Sequence, residues 1–285
     1  MKFIHGQVNH RKFVGSLEDG KIKVFSFNEQ TAERGVMAVI EMLTGGVELP
    51  PFEDQLLNYA DVQVLAPIPY PRRNIFCVVK NYMSLIREVA SKGISAEIPK
   101  EPVTYTKIPD CVIGHNAAIK SHVEITKSVD YEAELGVIIG KAGRNIAEND
   151  AMDYVFGYTI INDVAARDIQ VDHNQWDLSK SLDTFCPLGP VITTKDGVDE
   201  NNLAIRCWVN DQLRQDGNTN DFIFDIPKII ATISKGITLY PGDIIATGSP
   251  SGVGLGMNPP IYLKHGDKVT ISIDHIGELT NIVSD

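Results

Sequence analysis

The sequence predicts a β-rich α+β protein: a mostly antiparallel core with a few helices on its outside. Three observations carry that reading. Apolar runs of strand length outnumber helical patterns, the two do not alternate in the rhythm of a doubly wound parallel sheet, and turn signals recur between neighbouring runs. With 285 residues, 43% apolar and 22% charged, the chain can bury a full core and has an ordinary globular composition.

Residues 1–65 read as a small N-terminal α+β domain. It opens with short strands around Phe13-Val14-Gly15 and Lys21 to Phe25, followed by a helical pattern from Thr31 to Leu43 and a second short helix from Phe52 to Tyr59. Pro67, Pro69 and Pro71 stand at alternate positions, which favours an extended connector, so the boundary is placed there and a second domain spans 66–285. Beyond it, Asn74 to Val79 has the continuous apolar character of a buried strand. Asn81 to Lys92 follows as a helix, with Gly93 at the C′ position that glycine favours. Strands then dominate. Leu203 to Val209 and Gln212 to Gln215 are joined by Asn210-Asp211, a hairpin signal, and Lys268 to Asp274 pairs with Glu278 to Val283 across Ile276-Gly277. Between them lies one clear helix, with Pro227 in its first turn, Ile229, Ile230 and Ile233 on one side, and Gly236 ending it. Pro241-Gly242-Asp243 turns into the short strand Ile244 to Thr247.

Charge and cysteine content narrow the function. A net charge of −11 argues against nucleic acid or an anionic membrane as partner, since those surfaces need clustered Lys and Arg. Cys77, Cys111, Cys186 and Cys207 lie far apart with no Cys-x-x-Cys pair, and they read as reduced thiols. No run approaches the ~20 apolar residues needed to span a bilayer and no signal peptide is evident, so a cytoplasmic protein is expected.

The segment Asp130-Tyr131-Glu132-Ala133-Glu134-Leu135-Gly136-Val137-Ile138-Ile139-Gly140 sets two carboxylates at the head of a strand. Period-two alternation points Glu132 and Glu134 the same way, their Cα atoms roughly 6–7 Å apart. A second run, Tyr154 to Ile161, ends in Asn162-Asp163, and pairing of the two strands brings Asp163 alongside. Three carboxylates form a hard, oxygen-rich site that suits Mg²⁺, Mn²⁺ or Ca²⁺ better than zinc or copper. By itself a Glu-x-Glu pair is more often a solvated outer face.

Context comes from further motifs in fixed order. They are Lys80-Asn81-Tyr82, Gly157-Tyr158-Thr159 leading to Asn162-Asp163, Ala166-Arg167-Asp168-x-Gln170, Lys180-Ser181-x-Asp183-Thr184, Gly189-Pro190, Arg214-Gln215-x-Gly217, Pro241 to Gly248, and Pro250-Ser251-Gly252-Val253-Gly254. Together with the carboxylate strand, these resemble the fumarylacetoacetate hydrolase family over about residues 66–285. The resemblance implies a mixed β-roll, a homodimer, and enzymes acting beside a carbonyl in small 2-oxo acids. It also implies Glu132, Glu134 and Asp163 as ligands of Mg²⁺ or Mn²⁺, Lys180 as a catalytic cation near the enolate oxygen, and Gln170 as a substrate contact. Tyr82, Thr247 and Gly248 are expected to line the substrate site. Arg167 is expected to pair with a core carboxylate, because arginine serves as often as a structural clamp as a ligand.

One departure bears on the reaction. Many family hydrolases read Asn-Tyr-x-x-His-x-x-Glu, the His and Glu together activating water, and here the histidine position is Leu85 while Glu88 remains as a catalytic candidate. The glycine usually two residues before the asparagine is Val79, and His115 and His122 are the histidines nearest the carboxylate motif. The leading expectation is a metal-dependent hydrolase that cleaves a C–C bond in acylpyruvate-like 2,4-dioxo acids. The alternatives are an oxaloacetate decarboxylase or 2-oxo acid tautomerase, which needs no activated water, and a catalytically quiet metabolite-binding protein.

Overall fold

A computed structural model describes residues 1–285 except 92, 94–96 and 174. Local chemistry accounts for much of its secondary structure. Asn210 and Asp211 both take left-handed backbone (φ 51° and 63°), the pair a tight hairpin turn requires, and they join strands Ala204–Val209 and Gln212–Asn218. Asp225 caps helix Ile226–Ile233 by accepting the Lys228 N–H, with Pro227 in the first turn.

Most strands pair antiparallel in two sheets. In the 12-stranded sheet the main path runs Phe52–Asn58, Lys21–Phe25, Arg11–Glu18, Lys2–Val8, Cys186–Thr194, Val155–Asn162, Ala133–Ile139, Ile244–Ala246, Ile75–Val78 and Thr104–Lys107. Gln63–Val64 and Val112–Ile113 attach beside it. The five-stranded sheet runs Gln212–Asn218, Ala204–Val209, Lys268–Ile273, Gly277–Ser284 and Ala118–Lys120. Each motif strand is thus covered by neighbours on both edges. Strand Ala133–Ile139 is buried at every position, which explains its near-continuous apolar sequence. The N-terminal strands belong to the same sheet, through antiparallel pairing of Lys2–Val8 with Cys186–Thr194. One apolar cluster joins Phe3, Val14, Val39 and Ile40 to Ile138, Ile161 and Ile244.

Three local expectations are corrected. Phe52 to Tyr59 is not helical: Phe52–Asn58 is an edge strand on Lys21–Phe25, and Phe52 stacks on Phe25 at 4.6 Å between ring centroids. Its apolar residues fit either period, and the unpaired edge beside it decides. The helix over Thr31 to Leu43 is two pieces, Glu29–Ala32 and Met37–Thr44. They separate at Gly35 (φ 61°), where the Val36 N–H donates to the Pro67 carbonyl at 2.7 Å instead of continuing a helical ladder. The helix expected over Asn81 to Lys92 occupies Met83–Ala90, with Tyr82 extended before it and Gly93 left-handed after it (φ 71°); Lys92 lies outside the described residues. All four cysteines are buried free thiols, and among the described residues no helix is long and apolar enough to cross a membrane.

Candidate active site

Antiparallel register builds the carboxylate cluster. Ala133 pairs with Asn162, and the next step outward is the Asp163 N–H donating to the Glu132 carbonyl at 2.9 Å, while Asn162 Oδ1 accepts the Glu132 N–H at 3.1 Å. Strand alternation and this register together bring one carboxylate oxygen from each of Glu132, Glu134 and Asp163 within 4.8 Å of one another. Glu134 and Asp163 are fully buried, Glu132 partly. Such a set of hard donors can hold a metal ion.

Cations offset the cluster. Lys180 Nζ donates to Glu132 Oε2 at 2.6 Å and to Asp163 Oδ2 at 3.0 Å. Arg167 donates to Asp130 at 2.8 Å and also to Glu132, so it clamps core carboxylates as expected. Burial alone would raise the Glu132 carboxyl, but Arg167 and Lys180 outweigh it and hold the group at about 2. Glu134 is pushed the other way, to about 8, by burial and by the like charge of Glu132. Burial likewise raises Asp163 against the pull of Lys180 and Arg167. Lys180 stays charged: burial opposes its charge, yet Asp163 and Glu132 prevail and raise its pKa.

Glu132 and Glu134 of the cluster line a cavity of about 290 Å³ whose walls are otherwise mainly apolar, including Leu85, Val89, Val253 and Leu255, while Asp163 is not among its lining residues. Of the residues expected to act on or touch substrate, Gln170 and Lys180 line it. Gln170 is oriented by Arg167 Nη1, which donates to its Oε1 at 3.1 Å and leaves the amide N–H groups as its free donors. Tyr82 does not line the cavity; it is fully buried with its ring against Phe222, edge to face. Thr247 and Gly248 stand behind the cluster. Thr247 Oγ1 donates to the Leu135 carbonyl at 2.9 Å, and the Gly248 N–H donates to Glu134 Oε2 at 2.8 Å, orienting a carboxylate. Glu88 is also off the cavity, and its carboxylate accepts the Gly252 N–H at 3.0 and 3.1 Å, tying helix Met83–Ala90 to the glycine-rich loop. His115 accepts the Thr280 N–H and His122 contacts the Asp183 carbonyl; no histidine is among the described residues lining the cavity.

Three residues in contact with the site escaped the sequence reading. Lys107 is sealed from solvent and donates to Asp163 Oδ1 at 2.7 Å, to the Val164 carbonyl at 3.0 Å and to the Lys180 carbonyl. Tyr105, two residues earlier on strand Thr104–Lys107, donates its hydroxyl to Asp163, and its ring lies under Lys180 Nζ at 5.3 Å. Tyr-x-Lys alternation in Thr104-Tyr105-Thr106-Lys107 was the available signal, but it is weak without knowing that this strand closes the sheet edge beside the site. Asp130 accepts the Gly254 and Leu255 N–H groups at 2.7 and 2.9 Å as well as Arg167, and so holds the glycine-rich loop over the cavity.

A buried carboxylate triad with a lysine over it, set where a mixed β-roll brings two motif strands together, defines a class of enzyme. The chain belongs to the fumarylacetoacetate hydrolase family: the model described as fumarylacetoacetate (FAA) hydrolase C-terminal matches residues 74–284. It is 44% identical to the oxaloacetate tautomerase YisK of Bacillus subtilis over a 304-residue alignment, which covers 99% of each chain. The mitochondrial oxaloacetate tautomerase fahd2 of Xenopus laevis is 45% identical over 231 residues, covering 80% of this chain and 70% of that one. The fold matches the solved fumarylacetoacetate hydrolase of Exiguobacterium antarcticum, at 39% identity and a TM-score of 0.85, over 100% of this chain and 99% of that one.

Proposed function

We propose that this enzyme interconverts the enol and keto forms of oxaloacetate-type 2-oxo acids, with Mg²⁺ or Mn²⁺ held by Glu132, Glu134 and Asp163, and that hydrolysis of 2,4-dioxo acids is at most a side reaction. The observation that carries this reading is the cavity roof. Hydrolysis needs a base within reach of an attacking water. At the position where family hydrolases place histidine, Leu85 turns an apolar side chain to the cavity, and Glu88 is engaged by the Gly252 N–H. Tautomerisation needs no water: a proton leaves carbon and another is placed on oxygen, or the reverse, through an enolate. The names of two relatives at 44% and 45% identity support the same choice.

A divalent cation bound by the triad would supply Lewis-acid stabilisation of the enolate oxygen. The chain's own residues do the rest. Lys180 adds a second positive charge where negative charge develops, in a site whose burial strengthens the interaction. Gln170 offers amide N–H donors to orient the substrate carboxylate. Leu85, Val89, Val253 and Leu255 exclude water from the reacting carbons. Decarboxylation of oxaloacetate passes through the same enolate and is the second reading; the same apolar roof permits it.

The deciding experiment follows three signals from one preparation in Mg²⁺: decay of enol-oxaloacetate absorbance, pyruvate release from oxaloacetate, and loss of acetylpyruvate. Enol decay should be accelerated by about 10²-fold or more beyond either of the others, in line with the contribution of positioned charge and proton transfer. Acetylpyruvate hydrolysis as the fastest reaction would overturn the proposal.

A further inference from the structure

Two cavities meet beside the carboxylate cluster. The reaction cavity of about 290 Å³ adjoins a second of about 350 Å³, and among the described residues four line both: Val79, Lys80, Tyr105 and Trp176. Beyond that partition the second cavity has Pro99 and Val103 as apolar wall, with Glu97 and Gln175 also lining it.

Two of the four are aromatic, and their rings meet edge to face at 5.3 Å between centroids. Tyr105 is fixed from three sides: its backbone pairs with Cys77 in the neighbouring strand, its hydroxyl donates to Asp163, and Lys180 Nζ stands 5.3 Å over its ring. Trp176 opens helix Trp176–Lys180, which is docked on Tyr105's own strand. Asp177 Oδ1 accepts the Thr106 N–H and the Thr106 hydroxyl at 3.3 and 3.1 Å, and Ser179 Oγ donates to the Trp176 carbonyl at 2.7 Å. Trp176 and Lys180 stand at positions i and i+4 of this helix, so they share one face, with Cβ atoms about 5–6 Å apart. Both line the reaction cavity.

Resting on the function proposed above, we propose that Trp176 sets the length limit of the substrate: its indole closes the reaction cavity one helical turn beyond Lys180, admitting a four-carbon 2-oxo acid and turning away 2-oxo acids with longer tails. A substrate whose 2-oxo oxygen lies by the acidic cluster and Lys180 has room for only a short chain before it reaches the indole. Extra methylenes there must displace a ring already packed against a fixed tyrosine, and overfilling such a wall costs binding. With the indole removed, the same methylenes enter the second cavity and gain apolar contact with Val79, Pro99 and Val103.

The test separates this limit from the reaction. Calorimetry in Mg²⁺ on pyruvate, 2-oxohexanoate and 2-oxooctanoate needs no turnover. The parent should bind 2-oxooctanoate more weakly than pyruvate by about tenfold or more. Trp176→Ala should bind 2-oxooctanoate about tenfold tighter than the parent does, and pyruvate no tighter. Trp176→Phe, which keeps a ring against Tyr105, should retain the parent's order. Where the alanine variant fails to fold, Trp176→Leu carries the same comparison with a smaller opening. A second readout leaves Trp176 in place. Trp176 and Trp208 are the chain's two tryptophans, and Trp208 lies in the five-stranded sheet, off the cavity lining. In Trp208→Phe the emission of Trp176 alone should therefore shift on saturation with pyruvate. An unshifted emission, a parent that binds all three acids alike, or a Trp176→Ala or Trp176→Leu protein that keeps the parent's order overturns the length limit. A parent that binds none of the acids overturns the limit and the functional reading together. If the Trp176-dependent limit holds but enol-oxaloacetate decay is not accelerated, the functional reading falls and the limit stands.

Discussion

Two buried lysines flank Asp163 at similar distances yet carry different burdens. A lysine sealed from water must find an oxygen for each of its protons, and Lys107 does so with Asp163 and two main-chain carbonyls. Its side chain faces none of the cavity, so its role is to hold Asp163 in place. Lys107→Met should therefore cost about 3–5 kcal/mol of stability, the usual penalty for removing one partner of a buried pair. Urea unfolding measures it, and a loss under about 1 kcal/mol would mean the site relaxes around the vacancy. Lys180 lines the cavity, and Lys180→Met should lower kcat by about 10²-fold, the loss expected for one electrostatic stabiliser. Because Lys180 also neutralises Glu132 and Asp163, the variant should melt lower in chelator and recover in Mg²⁺. The rate loss should persist in Mg²⁺; a variant with full rate there would remove Lys180 from the mechanism.

At the scale of elements, helix Met83–Ala90 and the loop from Thr247 to Gly256 form one roof. Glu88 accepts a loop N–H, Asp130 accepts two more from below, and Gln215 Nε2 donates to Ser249 Oγ and the Pro250 carbonyl at 2.8 and 2.9 Å. The loop can be held this way because Gly248 and Gly252 adopt positive φ (96° and 100°), turning consecutive N–H groups toward different acceptors. With Glu88 so engaged, the helix supplies packing, and on the proposed function the reaction type depends on position 85. Leu85→His should raise the ratio of acetylpyruvate hydrolysis to enol-oxaloacetate decay by about tenfold. The gain stays below that of a complete His-Glu pair because Glu88 is occupied. Measuring both rates on the folded, metal-loaded variant decides the matter: an unchanged ratio would mean that this helix does not govern access of water.

Across the whole molecule, the N-terminal strands and the site share one sheet, and His5 sits in the strand that joins them. It is buried, with Nδ1 2.9 Å from the Ala66 carbonyl and no partner for Nε2 among the described residues. Burial lowers its pKa from the usual 6.5, so the folded protein favours the neutral ring. The unfolded chain then binds more protons below that value. Its contribution to stability is fully present above about pH 6.5 and declines as pH falls toward the lowered folded value, by about 1.4 kcal/mol for each unit of separation. Melting temperature between pH 8 and pH 5 should fall, and less steeply in His5→Asn. Equal slopes in parent and variant would clear His5 of the effect. The same titration bears on whether residues 1–65 unfold separately, since a second transition would mark an independent unit and a single one a shared core.

Local sequence was enough wherever the governing interaction spans a few residues. Alternation along Asp130 to Gly140 aligned Glu132 with Glu134, the Asn-Asp ending of the next apolar run pointed to Asp163, and Asn210-Asp211 and Pro227 marked a turn and the start of a helix. The family motifs added Lys180 and Gln170, both on the cavity. What escaped depends on partners far along the chain. Phe52–Asn58 became a strand because an open edge lay beside it, although its own pattern suited a helix. Lys107 and Tyr105 joined the site through contacts with Asp163, 56 and 58 residues away, and Glu88 is turned to the glycine-rich loop because Gly252, 164 residues away, donates to it. Backbone preference and side-chain period act over one or two turns of chain and can be read directly. The assignment of a buried charge to its counter-charge is made only when the sheet closes and water leaves, and for that the tertiary structure is required.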